Sequence, residues 1–249
     1  MWIDLPCPIV IAHRGDKTHA PENTLAAFKS AIDIGADAIE FDVKLSSDGQ
    51  IIVHHDRMVD RTTNGTGKIS EHSFASLRNL DAGTWFSEKF RGEHIPTLDE
   101  VFDTAGKQLH IDVELTNYST PADDLVSKVV EKVRKHGLQD RMLFSSFFPR
   151  NLRKARLLLP EVPQGLLTMK NWLGFWGRNY GWRGDYFALH PHFTNVNPRL
   201  VDRVHAGGKR VHVWTVNTEQ DLKRMIGLGV DAIFTDDPEL ALRLLGRNS

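Results

Sequence analysis

Cysteine is almost absent from this chain. Cys7 is the only one in 249 residues, so no intrachain disulfide is available, which fits a reducing compartment. Cys7 sits between Pro6 and Pro8 with no activating base beside it, so it does not read as a reactive thiol. Net charge is equally scarce: 31 Lys and Arg stand against 32 Asp and Glu, giving −1. No Lys/Arg cluster supplies the footprint that nucleic acid requires, so no nucleic-acid partner is expected. No stretch approaches the roughly 20 apolar residues of a membrane helix. A secretory leader is not expected either, because Asp4 stands where its basic region would be and Pro6 and Pro8 break the apolar run. The expected location is cytoplasmic. Also missing is a Gly-x-Gly-x-x-Gly turn after the first strand, the main sequence argument for an open dinucleotide-binding sheet.

What is present is an ordinary globular balance, 41% hydrophobic and 25% charged. A chain of this length buries roughly three quarters of its unfolded surface and folds without a staple. Short β-rich runs recur at 9–12, 38–43, 51–55, 109–115, 142–147, 165–168, 186–190, 210–216 and 232–235. Helical spacing appears at 24–34, 98–105, 121–136, 149–159, 198–206, 219–228 and 238–245. Sustained alternation predicts a closed (β/α)8 TIM barrel, with 1–249 forming a single domain.

Nine strands are one too many. The turn Ser46-Ser47-Asp48-Gly49 is too brief for a parallel crossover, so 50–55 is predicted to return antiparallel as a hairpin, bringing His55 roughly opposite Glu40 and Phe41. A polar, turn-rich stretch at about 56–96 reads as a small insertion over one barrel end. Residues 170–185 hold Trp172, Phe175, Trp176, Tyr180 and Trp182 among glycines. They read as a compact aromatic loop, or as a contact for a lipid tail or membrane surface.

Polar residues gather at the strand ends. Glu40 and Asp42 share one face of their strand, as do Asp112 and Glu114. Carboxylates concentrated in a barrel mouth repel one another unless a cation lies between them, and oxygen-only ligation favours Mg2+ or Ca2+. The competing use is pairing with Arg14 or Lys44. His13 and His55 end their strands, and together they supply a proton acceptor and a proton donor. Arg14 adds a cation able to fork onto a phosphate, or to clamp Asp42. His54 faces the other way by alternation, to core or surface.

The ordered set His13-Arg14-Gly15, Pro21-Glu22-Asn23-Thr24, Glu40-Phe41-Asp42-Val43, Asp48-Gly49, His55-Asp56, Arg61-Thr62-Thr63-Asn64-Gly65, Val213-Trp214-Thr215-Val216-Asn217 and 229–236 resembles the signature of the glycerophosphodiester phosphodiesterases, most closely the short cytoplasmic bacterial members. The resemblance implies a metal-dependent barrel that cleaves deacylated phospholipid headgroups to sn-glycerol 3-phosphate and an alcohol. It implies Glu40, Asp42 and Glu114 as ligands of one divalent ion, and His13 and His55 as the acid-base pair. Arg14 and Trp214 are expected to bind substrate. Trp214 has a second use as barrel core, and Asn23 or Thr24, with Glu22, a second use in capping the first helix.

One departure stands out. The family usually places lysine two residues after the third carboxylate, where this chain has Thr116. Two outcomes are open: transition-state stabilisation is weaker, or Lys44 or Lys170 substitutes from another strand. Two alternatives accompany the main reading: a lysophospholipase D, with the 172–182 segment accepting an acyl chain, and a barrel that binds a ligand without turnover.

Overall fold

The computed structural model describes residues 1–247. In chain order the elements are β1 Ile9–His13, α1 Leu25–Asp33, β2 Ala38–Leu45, β3 Ile51–Val53, α2 Phe74–Arg78, α3 Leu98–Ala105, β4 His110–Leu115, α4 Leu125–His136, β5 Met142–Ser146, α5 Pro149–Leu158, β6 Gln164–Thr168, α6 Phe175–Asn179, β7 Ala188–Pro191, α7 Pro198–Ala206, β8 Arg210–Val213, α8 Glu219–Gly227, β9 Ala232–Thr235 and α9 Pro238–Leu244. Eight of the nine strands are parallel and run in the order β1-β2-β4-β5-β6-β7-β8-β9, and β9 pairs with β1 to close the cylinder. This is the TIM barrel that the alternation predicted.

The ninth strand is the expected hairpin return: β3 pairs antiparallel with β2, Val43 opposite Val53 and Leu45 opposite Ile51. The ladder continues one bond further, His54 N donating to the Asp42 carbonyl at 2.9 Å. Continued by one more residue, this register brings His55 level with Phe41, within the predicted position.

Strand alternation divides the apolar residues into two cores. Val10, Ala12, Ile39, Phe41, Val43, Ile111, Val113 and Leu115 face outward and pack under the helices. Ile9, Ile11, Ala38, Leu143, Ala232 and Phe234 fill the cylinder, and Trp2 plugs its lower end with Nε1 donating to the Arg141 carbonyl at 3.0 Å. Helix starts are set by side chains that accept otherwise orphaned amides: Thr24, Thr97, Asn197, Thr218 and Asp237, each worth about 1 kcal/mol. Proline occupies the first turn of α5, α7 and α9, where its missing N–H is not needed.

The structure departs from expectation in two helices. α4 starts at Leu125 and not at 121, because the Asp123 side chain accepts from the Leu125 amide and from Asn117 and Thr120, holding a turn there. The aromatic stretch, expected as a compact loop or a lipid contact, contains the short α6 in the place of an outer barrel helix. The Trp182 side chain lies outside the described residues. Residues 56–96 cover the barrel beside β3 with a small core of Ile52, Val59, Ile69, Leu77, Ala82 and Ile95. Among the described residues, no helix is long and apolar enough to cross a membrane.

Candidate active site

The C-terminal ends of the strands converge on a cavity of about 560 Å³ lined by His13, Arg14, Glu40, Asp42, His55, Glu114 and Trp214, all seven residues expected at the site. Parallel register explains the carboxylates. Asp42 stands beside Glu114 across β2 and β4, and Glu40 lies two residues below Asp42 on the same face. One oxygen from each of Glu40, Asp42 and Glu114 lies within 4.8 Å of the others. Glu40 and Asp42 are 4% and 1% exposed.

Burial, reinforced by Asp42 and Glu114, pushes the Glu40 carboxyl well above its ordinary range. Burial and the charge of Asp42 push Glu114 up to about 7. Burial acts in the same direction on Asp42, but the neighbouring His55, Arg14 and Lys44 outweigh it and hold that carboxyl low. Three crowded carboxylates, two of them short of compensating charge, fit a hard divalent cation. Tyr118 Oη donates to Glu114 Oε1 at 2.7 Å and aims that carboxylate.

Each histidine is held by a carboxylate. His13 Nδ1 lies 2.6 Å from Asp236 Oδ1, and His55 Nδ1 lies 2.6 Å from Asp56 Oδ1. With Nδ1–H donating to the carboxylate, each Nε2 keeps its lone pair and can accept a proton. The two differ in setting. Burial and the adjacent Arg14 pull His13 below its ordinary value against the pull of Asp236, whereas the His55 side chain is 42% exposed.

Arg14 takes a positive φ of 61°, followed by Gly15 at 85°. Any side chain at Gly15 would collide with Ala27, its Cβ falling 2.6 Å from that of Ala27. This turn folds Arg14 back over the carboxylates, Nη1 donating to Glu22 at 2.8 Å and Nε lying 3.4 Å from Asp42.

Residues 13–240 match the Glycerophosphoryl diester phosphodiesterase family. The chain belongs to that family. A glycerophosphodiester phosphodiesterase of Caldanaerobacter subterraneus is 40% identical over 238 residues, covering 95% of this chain and 97% of the relative. A Bacillus subtilis glycerophosphodiester phosphodiesterase is 32% identical over 248 residues, covering 93% and 84%. The structure of an Oleispira antarctica phosphodiesterase in complex with the product sn-glycerol-3-phosphate superposes with a TM-score of 0.87 at 33% identity, covering 96% and 97% of the two chains.

This phosphodiesterase is therefore an enzyme, which sets aside the binding-only alternative. Lys44 Nζ donates to Thr116 Oγ1 at 2.7 Å, so an ammonium from β2 reaches the place beyond Glu114, and both residues line the cavity. Lys170 does not line it. Trp214 lines the cavity and also packs against the inner core: its Nε1 donates to the His190 carbonyl at 2.8 Å, and its ring lies edge-on to Phe147.

Within Pro21-Glu22-Asn23-Thr24, Thr24 is the cap of α1 and Asn23 Nδ2 reaches Asp42 at 3.3 Å. Glu22 neutralises two guanidiniums, Arg14 and Arg61, in place of a role at the helix terminus. Sequence reasoning missed Asp236, Tyr118, Glu22 and Arg61 as site residues. Glu22 and Arg61 carried a signal as members of the quoted motifs and Asp236 as a polar residue just past the last barrel strand, whereas Tyr118 carried none.

Proposed function

We propose that this phosphodiesterase hydrolyses small glycerophosphodiesters, such as glycerophosphocholine or glycerophosphoethanolamine, to sn-glycerol 3-phosphate and an alcohol, using Mg2+ or Ca2+ and a His13/His55 acid-base pair. One observation carries the reading: three carboxylates within 4.8 Å share a cavity with two histidines, each oriented by its own carboxylate. The relative with bound sn-glycerol-3-phosphate supports it.

Glu40, Asp42 and Glu114 would hold the ion, which when bound would lower the pKa of a substrate hydroxyl and offset phosphoryl charge, a contribution on the order of several kcal/mol. The substrate carries its own nucleophile, a 2-hydroxyl adjacent to the ester carbon, so attack on phosphorus is intramolecular. One imidazole Nε2 removes that proton as the new P–O bond forms. The other imidazole protonates the departing alkoxide as the old bond breaks. Water then opens the cyclic phosphodiester with the two imidazoles exchanging roles. Arg14 and Lys44 stabilise charge on the phosphoryl oxygens, and Trp214 packs on the glycerol carbons.

The test is release of sn-glycerol 3-phosphate from a panel of headgroups with EDTA, then with Mg2+ or Ca2+ restored. Loss with chelator and rescue by one ion is expected. Undiminished turnover in EDTA would remove the metal from the reading.

A second reading, lysophospholipase D activity, is favoured by one feature. An apolar groove of about 550 Å³ lined by Leu173, Trp176 and Tyr180 shares Phe147 and Leu167 with the catalytic cavity. Lysophosphatidylcholine in the same assay separates the two.

A further inference from the structure

Large apolar side chains are exposed unevenly. Of the eleven that stand exposed among the described residues, six fall within twelve consecutive positions: Met169, Trp172, Leu173, Phe175, Trp176 and Tyr180. Trp172 and Trp176 are 79% and 70% exposed, beyond what an aromatic loop packed on a barrel would show. The segment is nevertheless built. Arg178 is buried inside it, donating to the carbonyls of Met169 and Asn171, and Gly174 leaves room for that guanidinium, since a Cβ there would fall 2.3 Å from Nη1.

Beside the segment lies a pocket of about 330 Å³ lined by Arg178, Arg199 and Arg203 with Asn179, Asn195 and Asn197, and by no acidic residue. Among the described residues, none of these three arginines has a carboxylate in ion-pair contact, and the buried Arg203 Nε has no hydrogen-bond partner. Residues 169–184 add Lys170 and contain no Asp or Glu, although the whole chain carries −1. The three arginines of the pocket, with no carboxylate in ion-pair contact, flank exposed Trp, Phe and Tyr and match a surface that is anionic at its headgroups and apolar just beneath. A second copy of this chain matches poorly, because a two-fold contact through this patch sets arginines against arginines.

The position adds an orientation. The segment follows the C-terminal end of β6, and the arginine pocket is completed by residues that follow β7. Both lie at the barrel end that carries the catalytic cavity. We propose that residues 169–180, with the Arg178/Arg199/Arg203 pocket, dock this enzyme on an anionic phospholipid bilayer with its active-site mouth toward the lipid.

Sedimentation with sucrose-loaded vesicles tests this, comparing phosphatidylcholine alone with phosphatidylcholine containing about 30% phosphatidylglycerol. The expected result is binding to the anionic vesicles only, weakened by salt as the Debye length shrinks. Trp172→Ala/Phe175→Ala and, separately, Arg199→Ala/Arg203→Ala should each reduce it by about tenfold or more, while turnover of soluble glycerophosphocholine is unchanged. Equal sedimentation with both vesicle types, none with either, or full binding by the Trp172/Phe175 variant overturns the proposal. So does inorganic phosphate stabilising the wild type through Arg199 and Arg203 without vesicle binding, which marks a soluble-anion site. A wild-type dimer that the Trp172/Phe175 variant dissolves, again without vesicle binding, marks a contact between copies and also overturns it.

Discussion

His13 Nδ1 and Asp236 Oδ1 are 2.6 Å apart, although 223 residues separate them in the chain. The contact exists because β9 pairs with β1, placing the ends of the first and last strands side by side. Closing the cylinder thus orients the imidazole. Lys17 Nζ, 3.2 Å from the same Asp236 oxygen, completes the group.

Asp236→Asn should lower kcat by on the order of 100-fold, since the imidazole loses the acceptor that selects its tautomer. Burial and Arg14 already pull His13 down while Asp236 pulls it up, so the variant should move the limb of the kcat/KM pH profile that His13 governs to lower pH. A pH-rate series checks this. A lower rate with an unmoved limb would give Asp236 a purely structural role.

Lys44→Met should reduce kcat/KM by on the order of 100-fold if its ammonium supplies the phosphate charge that Thr116 lacks. Introducing Thr116→Lys into that background should restore part of the loss, because the two side chains meet at 2.7 Å. Steady-state kinetics decides, and a Lys44→Met enzyme with normal turnover moves the phosphate contact elsewhere.

Tyr118→Phe removes the hydrogen bond that aims Glu114. Divalent-ion affinity should fall by about 10- to 100-fold, with activity returning at high metal concentration. Calorimetric titration of Mg2+ or Ca2+ measures the change directly. Unchanged affinity would mean that Glu114 needs no support from Tyr118.

Glu22 is held down to about 2 although burial pushes the other way, because Arg61 hydrogen-bonds it and Arg14 and Lys17 add their charge. Its folded value lies below its unfolded one, so its stabilisation is fully present above about pH 4.5 and is lost as pH falls toward 2. Glu22→Gln should cost about 3 kcal/mol at neutral pH. The gap to wild type should narrow steadily below pH 4.5, as urea unfolding at several pH values will show. A gap that stays constant into acid would assign the loss to packing.

Gly165→Ala should destabilise by about 1 to 3 kcal/mol, because the added Cβ falls 2.1 Å from His190 Nε2 within the barrel, where neither backbone can withdraw. Thermal unfolding checks it. An unchanged Tm would mean that the His190 ring shifts freely.

The barrel was legible because β-rich runs alternate with helical spacing along the chain, the order that a parallel sheet with crossover helices imposes. His55 was legible for a narrower reason: a four-residue turn fixes hairpin register, and register fixes which residue comes level with Phe41. The supporting pairs were not. Asp236 finds His13 and Arg61 finds Glu22 only after distant segments meet, and no local periodicity encodes those partners. α6 was missed because Gly174 and Gly177 interrupt its pattern. Those glycines answer close contacts with Met169, Arg178 and Thr168 that exist only in the folded chain.

The hairpin of β2 and β3 has a further consequence. His13 is anchored to the cylinder wall, while His55, Asp56 and Arg61 belong to the excursion that leaves the wall at Leu45 and returns at Thr97. The separation of the two imidazoles is thus set by the β2–β3 ladder, which ends with His54 N on the Asp42 carbonyl, together with the Arg61–Glu22 fork. Exchanging the excursion for one of another length would tune proton transfer while leaving Glu40, Asp42 and Glu114 undisturbed, so within this architecture turnover and ion binding can diverge separately.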